Sequence, residues 1–221
     1  MRDWKFIFEK YLLRKHPPLE PQVWTELSRI RGGLFVDVGA YLGTYSVRLS
    51  PHFRHVYAFE PNPNAVPLLR KRIEERSRRN ITVFPIALSD SNGLARFYLD
   101  AHQGFNGSAD TLLQVFKYNP GKQIGAGPAH TYVGKESVMV PIATYDSQIQ
   151  EAADLVKIDV EGAEFQVLKG ASSALGEGRI RRIMVELHDK DAKDDLYKIL
   201  SQYGFKLMQL DPHPRIFGSL A

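Results

Sequence analysis

Apolar positions near the start of the chain recur with helical spacing. Trp4, Ile7, Phe8, Tyr11 and Leu12 fall at i, i+3, i+4, i+7 and i+8, which lines one stripe of a helix. His16-Pro17-Pro18 stops that stripe, because proline lacks an N–H and restricts the residue before it. A second short helix starts at Pro21, a favoured first-turn residue, and turns Val23, Trp24, Leu27 and Ile30 inward. Arg31-Gly32-Gly33 ends it. The rhythm then changes to short β-branched runs alternating with helical patterns. Strands are predicted over 34–38, 55–60, 81–87, 155–159, 180–187, 205–210 and 215–217. Helices are predicted over 43–50, 64–79, 163–168 and 191–202. Strands separated by helices imply parallel βαβ units and an α/β sheet. Residues 93–99 and 137–142 predict two extra strands paired with each other.

This pattern divides 221 residues into an N-terminal helical cap, 1–31, and one α/β domain, 32–221. Residues 100–135 carry no periodicity. They hold Gly104, Gly107, Gly121, Gly125, Gly127 and Gly134 with Pro120 and Pro128. A loop of that length inside a compact domain is usually functional, so it is expected to close over an acceptor. Composition adds three exclusions. There is no cysteine, which removes disulfides, thiolate metal sites and a cysteine nucleophile, and fits a reducing, cytoplasmic setting. No run approaches the roughly 20 apolar residues of a membrane helix. The net charge of +4 is local: Arg70, Lys71, Arg72, Arg76, Arg78 and Arg79 outnumber Glu74 and Glu75 by four. The patch is read first as the solvated face of one helix, with nucleic acid as the alternative partner.

The first chemical signal is Phe35-Val36-Asp37-Val38-Gly39-Ala40-Tyr41-Leu42-Gly43, a buried strand that enters a glycine turn and then a helix with Thr44 in its first turn. Open parallel sheets bind ligands beyond the carboxyl ends of their strands. A dinucleotide site wants G-x-G-x-x-G. Here the spacing is Gly39-x-x-x-Gly43, and Asp37 would oppose a pyrophosphate. S-adenosylmethionine carries an ammonium and a sulfonium and no phosphate, so a carboxylate at the loop favours it over NAD. Glu60 ends the second strand 21 residues after Gly39, where an acid meets ribose hydroxyls, and Asn62 follows. Ala87 and Ser89, after the third strand, are candidates for an adenine slot, with Asp90 beside them.

The second signal is Lys157-Ile158-Asp159-Val160-Glu161-Gly162-Ala163-Glu164. Period-two alternation puts Lys157, Asp159 and Glu161 on one side of a strand end. Burying such charge is costly unless it is paired or used. Glu186 and His188 end the following strand. Lys157, Asp159, Glu161 and His188 are therefore the candidate catalytic residues, and Asp159 also faces the cofactor. His188 is the expected general base, because its ordinary pKa lies near neutrality. The same oxygen-rich groups suit a divalent cation such as Mg²⁺, although no residue is assigned to a metal.

Taken together, these blocks resemble the FkbM family of methyltransferases. The matching residues are Phe35 to Gly43, Ala58-Phe59-Glu60-Pro61, Ala87-Leu88-Ser89-Asp90, Lys157 to Glu164, Leu168-Lys169-Gly170-Ala171 and Glu186-Leu187-His188. Thr144-Tyr145-Asp146 stands where members often show Thr-Leu-Asp. The resemblance implies a class I methyltransferase fold, Rossmann-like and doubly wound, with sheet order 3-2-1-4-5-7-6. It also implies O-methylation of small molecules or sugars. Asp37, Gly39 and Glu60 would hold S-adenosylmethionine, with Asp159 and Glu161 near the methyl group. Two other readings stay open. One is methylation of RNA or other nucleic acid through the 70–79 helix, although no Asn-Pro-Pro-Tyr or Asp-Pro-Pro-Tyr follows the fourth strand. The other is a non-catalytic cofactor-binding module.

Overall fold

The computed structural model describes residues 21–98, 137–210 and 215–220. The helix expected over 4–12 and the irregular segment 100–135 lie outside them. In chain order the elements are α1 (Pro21–Leu27), β1 (Gly32–Val38), α2 (Thr44–Leu49), β2 (Phe53–Phe59), α3 (Ala65–Glu75), β3 (Ile81–Phe84), β4 (Ala87–Ser89) and β5 (Gly93–Tyr98). There follow β6 (Ser137–Thr144), α4 (Tyr145–Gln148), β7 (Leu155–Ile158), α5 (Glu164–Gly170), α6 (Ser172–Gly176), β8 (Arg182–Glu186), α7 (Lys193–Gln202), β9 (Phe205–Gln209) and β10 (Arg215–Leu220).

Seven strands form the main sheet in the order β3-β2-β1-β7-β8-β10-β9. Counted along this sheet alone, that is the expected 3-2-1-4-5-7-6. Every pairing is parallel except those of β10, which runs antiparallel to β8 and β9. The order reverses between β1 and β7, so the crossovers leave a crevice beyond their carboxyl ends. β1 is buried on both faces, as a central parallel strand must be. Val36 and Val38 pack toward Val167, Leu168 and Leu200 of the later helices. Phe35 faces the other way, against Val23 and Leu27 of α1 and Leu49 of α2. The helix at Pro21 thus packs on the sheet. Its Trp24 also takes the Arg48 guanidinium over its ring at 4.6 Å.

The expected single strand 81–87 is two strands. Pro85 has no N–H to continue the ladder, so β3 stops at Phe84. β4 then joins a second sheet of order β4-β6-β5, parallel to β6. The two extra strands are β5 and β6, antiparallel to each other from Gly93↔Ile142 to Tyr98↔Ser137. The helix expected over 64–79 ends at Glu75, and Ser77 turns the chain with a left-handed φ of 49°. Its basic face is also smaller than expected. Arg72 is buried and donates to the Leu42 carbonyl at 3.1 Å. α4 and α6 have no counterpart among the predicted helices. Asp146 ties them together by accepting from the Ser173 and Ala174 N–H groups, each at 2.8 Å.

Candidate functional site

The glycine turn after β1 is folded against β7. Gly39 has φ 78°, which glycine adopts at little cost, and a Cβ there would run into the Asp159 carbonyl. Gly43, with φ 75°, starts α2 against Leu69. Between them Tyr41 holds a left-handed φ of 49° without being glycine, and its ring is largely exposed. Backbone strain of this kind persists where the surroundings hold it, and here Glu60 does so. The Glu60 carboxylate is buried at the end of β2. It accepts from the Tyr41 N–H at 2.7 Å and the Asn62 N–H at 2.8 Å. The Asn62 side chain in turn accepts from the Asn64 N–H and leads into α3. Ala40 is buried beside Ala58 and Leu69, and Thr44 opens α2. Asp37, Gly39, Ala40, Gly43, Thr44, Glu60 and Asn62 therefore share one corner of the crevice.

Asp37 sits at the floor of that corner, fully buried. One oxygen accepts from the Ser46 N–H at 3.0 Å and the Ser46 hydroxyl at 2.5 Å. The other oxygen makes no hydrogen bond and lies 3.4 Å from Lys157 Nζ. Lys157 donates to the Gly39 carbonyl at 3.1 Å and pairs with Asp159 at 3.1 Å. Burial alone would lower its pKa. The carboxylates of Asp159 and Asp37 reverse that and hold it above the ordinary lysine value. The ammonium thus stays charged and locks the loop, β1 and β7 together. Lys157 itself is fully buried, whereas Asp159, Glu161 and His188 are each partly exposed.

The open side is formed where β7 and β8 end together. Asp159 and Glu161 leave β7, and His188 leaves β8. His188 Nε2 lies 3.2 Å from Glu161 Oε2 and 3.8 Å from Asp159 Oδ1. All three side chains are roughly a quarter exposed. Glu161 has φ 55° and Gly162 φ 103°, a tight turn that aims the Glu161 carboxylate back over the strand end. Behind them, in the first turn of α5, Glu164 is buried. It accepts from the Gly162 N–H at 2.8 Å and from His188 Nδ1 at 2.9 Å.

Electrostatics follows from this packing. Burial would lower the His188 pKa, but the Glu164 hydrogen bond and the Glu161, Glu164 and Asp159 charges raise it to about 9. The imidazole is a cation at neutral pH in this arrangement. Three carboxylates, Asp159, Glu161 and Glu164, surround the ring. Burial pushes the Glu161 carboxyl up to about 7, opposed by His188 and reinforced by Asp159, Glu164 and Glu186. Glu186 itself is committed to Arg215, a two-pronged pair with both contacts at 2.8 Å.

The remaining candidates, Ala87 and Ser89, lie on β4. Ala87 packs with Val160 and Ala163, under the loop that carries Glu161. Ser89 is buried in the small sheet, and its carbonyl abuts Gly170 at the far end of α5. Asp90 pairs with Lys169 at 2.8 Å. The reading of the residues left Glu164 without a role. Its signal was an acid in the first turn of a helix directly after a glycine, a position from which a carboxylate satisfies backbone N–H groups.

The sheet order and the loop after β1 define the architecture of a class I methyltransferase. The family model of the methyltransferase FkbM domain matches residues 37–207, and the chain belongs to that family of methyltransferases. It is 32% identical over 201 residues to the 31-O-demethyl-FK506 methyltransferase FkbM of Streptomyces tacrolimicus, covering 82% of this chain and 76% of that protein. It is 28% identical over 170 residues to the hexuronic acid methyltransferase AglP of Haloferax volcanii, covering 75% and 60%. It is 29% identical over 205 residues to the AMB antimetabolite synthetase AmbE of Pseudomonas aeruginosa. That match takes in 78% of this chain and spans only 9% of the synthetase. A crystal structure of a methyltransferase FkbM from Methylobacillus flagellatus KT shares the fold, with TM-score 0.58 and 15% identity, covering 97% of this chain and 58% of that one. Among the described residues no helix is long and apolar enough to cross a membrane.

Proposed function

We propose that this methyltransferase uses S-adenosylmethionine to methylate a hydroxyl of a small molecule or a sugar-containing acceptor, in a cytoplasmic setting. The observation that carries the reading is the gathering of Asp159, Glu161 and His188 at the ends of β7 and β8, beside the Gly39 turn. The cofactor suits the residues present. Glu60 is a buried strand-end carboxylate at the distance that fits a ribose, and Asp37 and Asp159 put negative charge where a sulfonium and an ammonium are favoured. Asp37, Gly39, Ala40, Gly43, Thr44, Glu60, Asn62 and Asp159 would hold it. When bound, it supplies an activated methyl group.

The chain's own residues do the rest. Lys157 fixes the loop and the Asp159 carboxylate in one geometry. The acceptor hydroxyl binds among Asp159, Glu161 and His188, and the Asp159 carboxylate, as general base, takes its proton as the oxygen bonds to the methyl carbon. Holding the two reactants in line contributes most of the acceleration, because the methyl donor is reactive by itself. The named activities of the Streptomyces and Haloferax relatives support an oxygen acceptor of the natural-product or sugar kind. Calorimetric titration with S-adenosylhomocysteine tests the cofactor, and methyl transfer to a panel of hydroxylated acceptors tests the chemistry.

A further inference from the structure

We infer that the amino ends of β1, β2 and β3 form a docking surface for a nucleic-acid strand, held by its phosphates and remote from the crevice. Parallel strands bring their amino ends to one edge of the sheet, and the site described above lies at the opposite, carboxyl edge. Arg31 leads into β1, Arg54 is the second residue of β2, and Arg78 and Arg79 lead into β3. The strands carry these residues side by side, since Gly32 pairs with Phe53 and Val56 with Ile81. Neighbouring strands lie about 4.8 Å apart, so the arginines line roughly 10 Å of edge. Asn80 fixes their placing. Its side chain donates to the Ser50 carbonyl at 2.8 Å and the Phe53 carbonyl at 2.9 Å, which seats Arg78 and Arg79 beside Arg54. Arg76, the C-cap of α3, adjoins them.

The fold redistributes the charge that the sequence showed on one helix. Arg72 is buried, and Lys71 pairs with Glu75 at 3.8 Å. Arg54, Arg76, Arg78 and Arg79 make no ion pair among the described residues, and Arg78 Nε has no acceptor. Arg31 donates to the Ser28 and Ile30 carbonyls and meets the His52 ring, contacts that leave its charge uncompensated. Of the acids nearby in the chain, Glu75 is taken by Lys71, Glu26 by Arg29, and Glu151 accepts from Tyr57, which leaves Glu74. The chemistry of this edge selects the partner. Guanidinium groups match phosphate oxygens two at a time. The large apolar side chains exposed among the described residues are Tyr41, Leu94, Met139 and Met208, and none belongs to this edge. A membrane surface takes up apolar side chains that insert, and a protein interface is built on an apolar core. A phosphate backbone needs neither.

Fluorescence anisotropy of a labelled oligouridylate, titrated with the full chain, tests the surface. The expected result is saturable binding at about 50 mM salt, with log affinity falling against log salt by about 0.7 for each phosphate neutralised. The double substitution Arg54→Glu and Arg79→Glu is expected to weaken binding at least about tenfold and to make that slope shallower by about 1.4. Lys206→Glu, on β9 at the far flank of the same edge, is expected to leave binding unchanged. Circular dichroism reports folding of each variant, and Arg54→Gln with Arg79→Gln replaces the charge reversal if that chain does not fold. No binding by the wild-type chain at about 50 mM salt overturns the surface. Binding that the double substitution leaves intact overturns it, as does binding that Lys206→Glu weakens equally. Capture of the chain by phosphatidylserine-containing vesicles and not by the oligouridylate would assign the edge to a membrane and overturn the nucleic-acid partner.

Discussion

Nδ1 of His188 donates to the buried carboxylate of Glu164 at 2.9 Å, joining the end of β8 to the first turn of α5. That bond decides which nitrogen of the ring faces the open site. The account gives Glu164 a positioning role, through His188, and the substitution Glu164→Gln tests it. Turnover is expected to fall at least about tenfold, as a misaligned proton-handling group loses part of its roughly 10²–10⁴-fold contribution. Affinity for S-adenosylhomocysteine stays within about twofold, because Glu164 does not reach the Gly39–Glu60 corner. A parallel loss of both would assign Glu164 to the fold rather than to the site.

His188→Ala separates binding from chemistry. The ring lies 3.2 Å from Glu161 and 3.8 Å from Asp159. The expected variant binds S-adenosylhomocysteine like the parent and loses at least about 10²-fold in methyl transfer, the scale of a positioned polar catalyst. Turnover unchanged at every pH would remove His188 from the mechanism.

Glu60 governs the opposite corner. Its two oxygens hold the Tyr41 and Asn62 N–H groups and so shape the glycine loop after β1. Glu60→Ala loses charged hydrogen bonds of roughly 1.5–3 kcal/mol each. S-adenosylhomocysteine affinity is expected to drop at least about tenfold by calorimetry, since 1.4 kcal/mol is a factor of ten. Gly39→Ala is expected to act on stability as well. It forces a side chain into φ 78° and into the Asp159 carbonyl, a strain of roughly 1–3 kcal/mol that a thermal melt reads as a fall of several degrees.

Asp154 supplies a pH-dependent test far from the chemistry. It sits before β7, buried at the start of β1. It accepts from the Gly33 N–H at 2.6 Å and the Leu34 N–H at 3.3 Å, and pairs with Arg181 at 2.6 Å. Burial alone would raise its pKa. The Gly33 N–H, Arg181 and the Leu34 N–H outweigh burial and lower it. A carboxyl with a depressed folded-state pKa stabilises fully above its unfolded value of ~3.9, and that contribution is lost as pH falls through the folded value. Asp154→Asn is therefore expected to lose about 1.5–3 kcal/mol near pH 7 in urea unfolding. The gap to the parent narrows below pH 4. A gap of constant size down to pH 2 would contradict the assignment.

Much of this was legible in the chain because local pattern and site chemistry coincide. Phe35-Val36-Asp37-Val38 running into a glycine turn reads as a buried strand, and β1 is one. Asp159 and Glu161 follow directly on a β-branched run that is β7. What stayed hidden depends on contacts between distant residues. The His188–Glu164 bond spans 24 positions and exists only because β7 and β8 are neighbours. The raised His188 pKa follows in large part from that bond, which sequence spacing does not show. α6 is five residues with no full apolar stripe, and the Asp146 that caps it comes from the far side of β7. Pro85 was a local signal for the break between β3 and β4 that the apolar run of residues 81–87 concealed.

The central claim is that the corner formed by Gly39, Asp37 and Glu60 is built for S-adenosylmethionine. Calorimetric titration of the full chain with S-adenosylhomocysteine, with NADH as the control ligand, tests it most directly. The account predicts saturable binding of S-adenosylhomocysteine at one site per chain and no heat from NADH. Binding of NADH alone would contradict it.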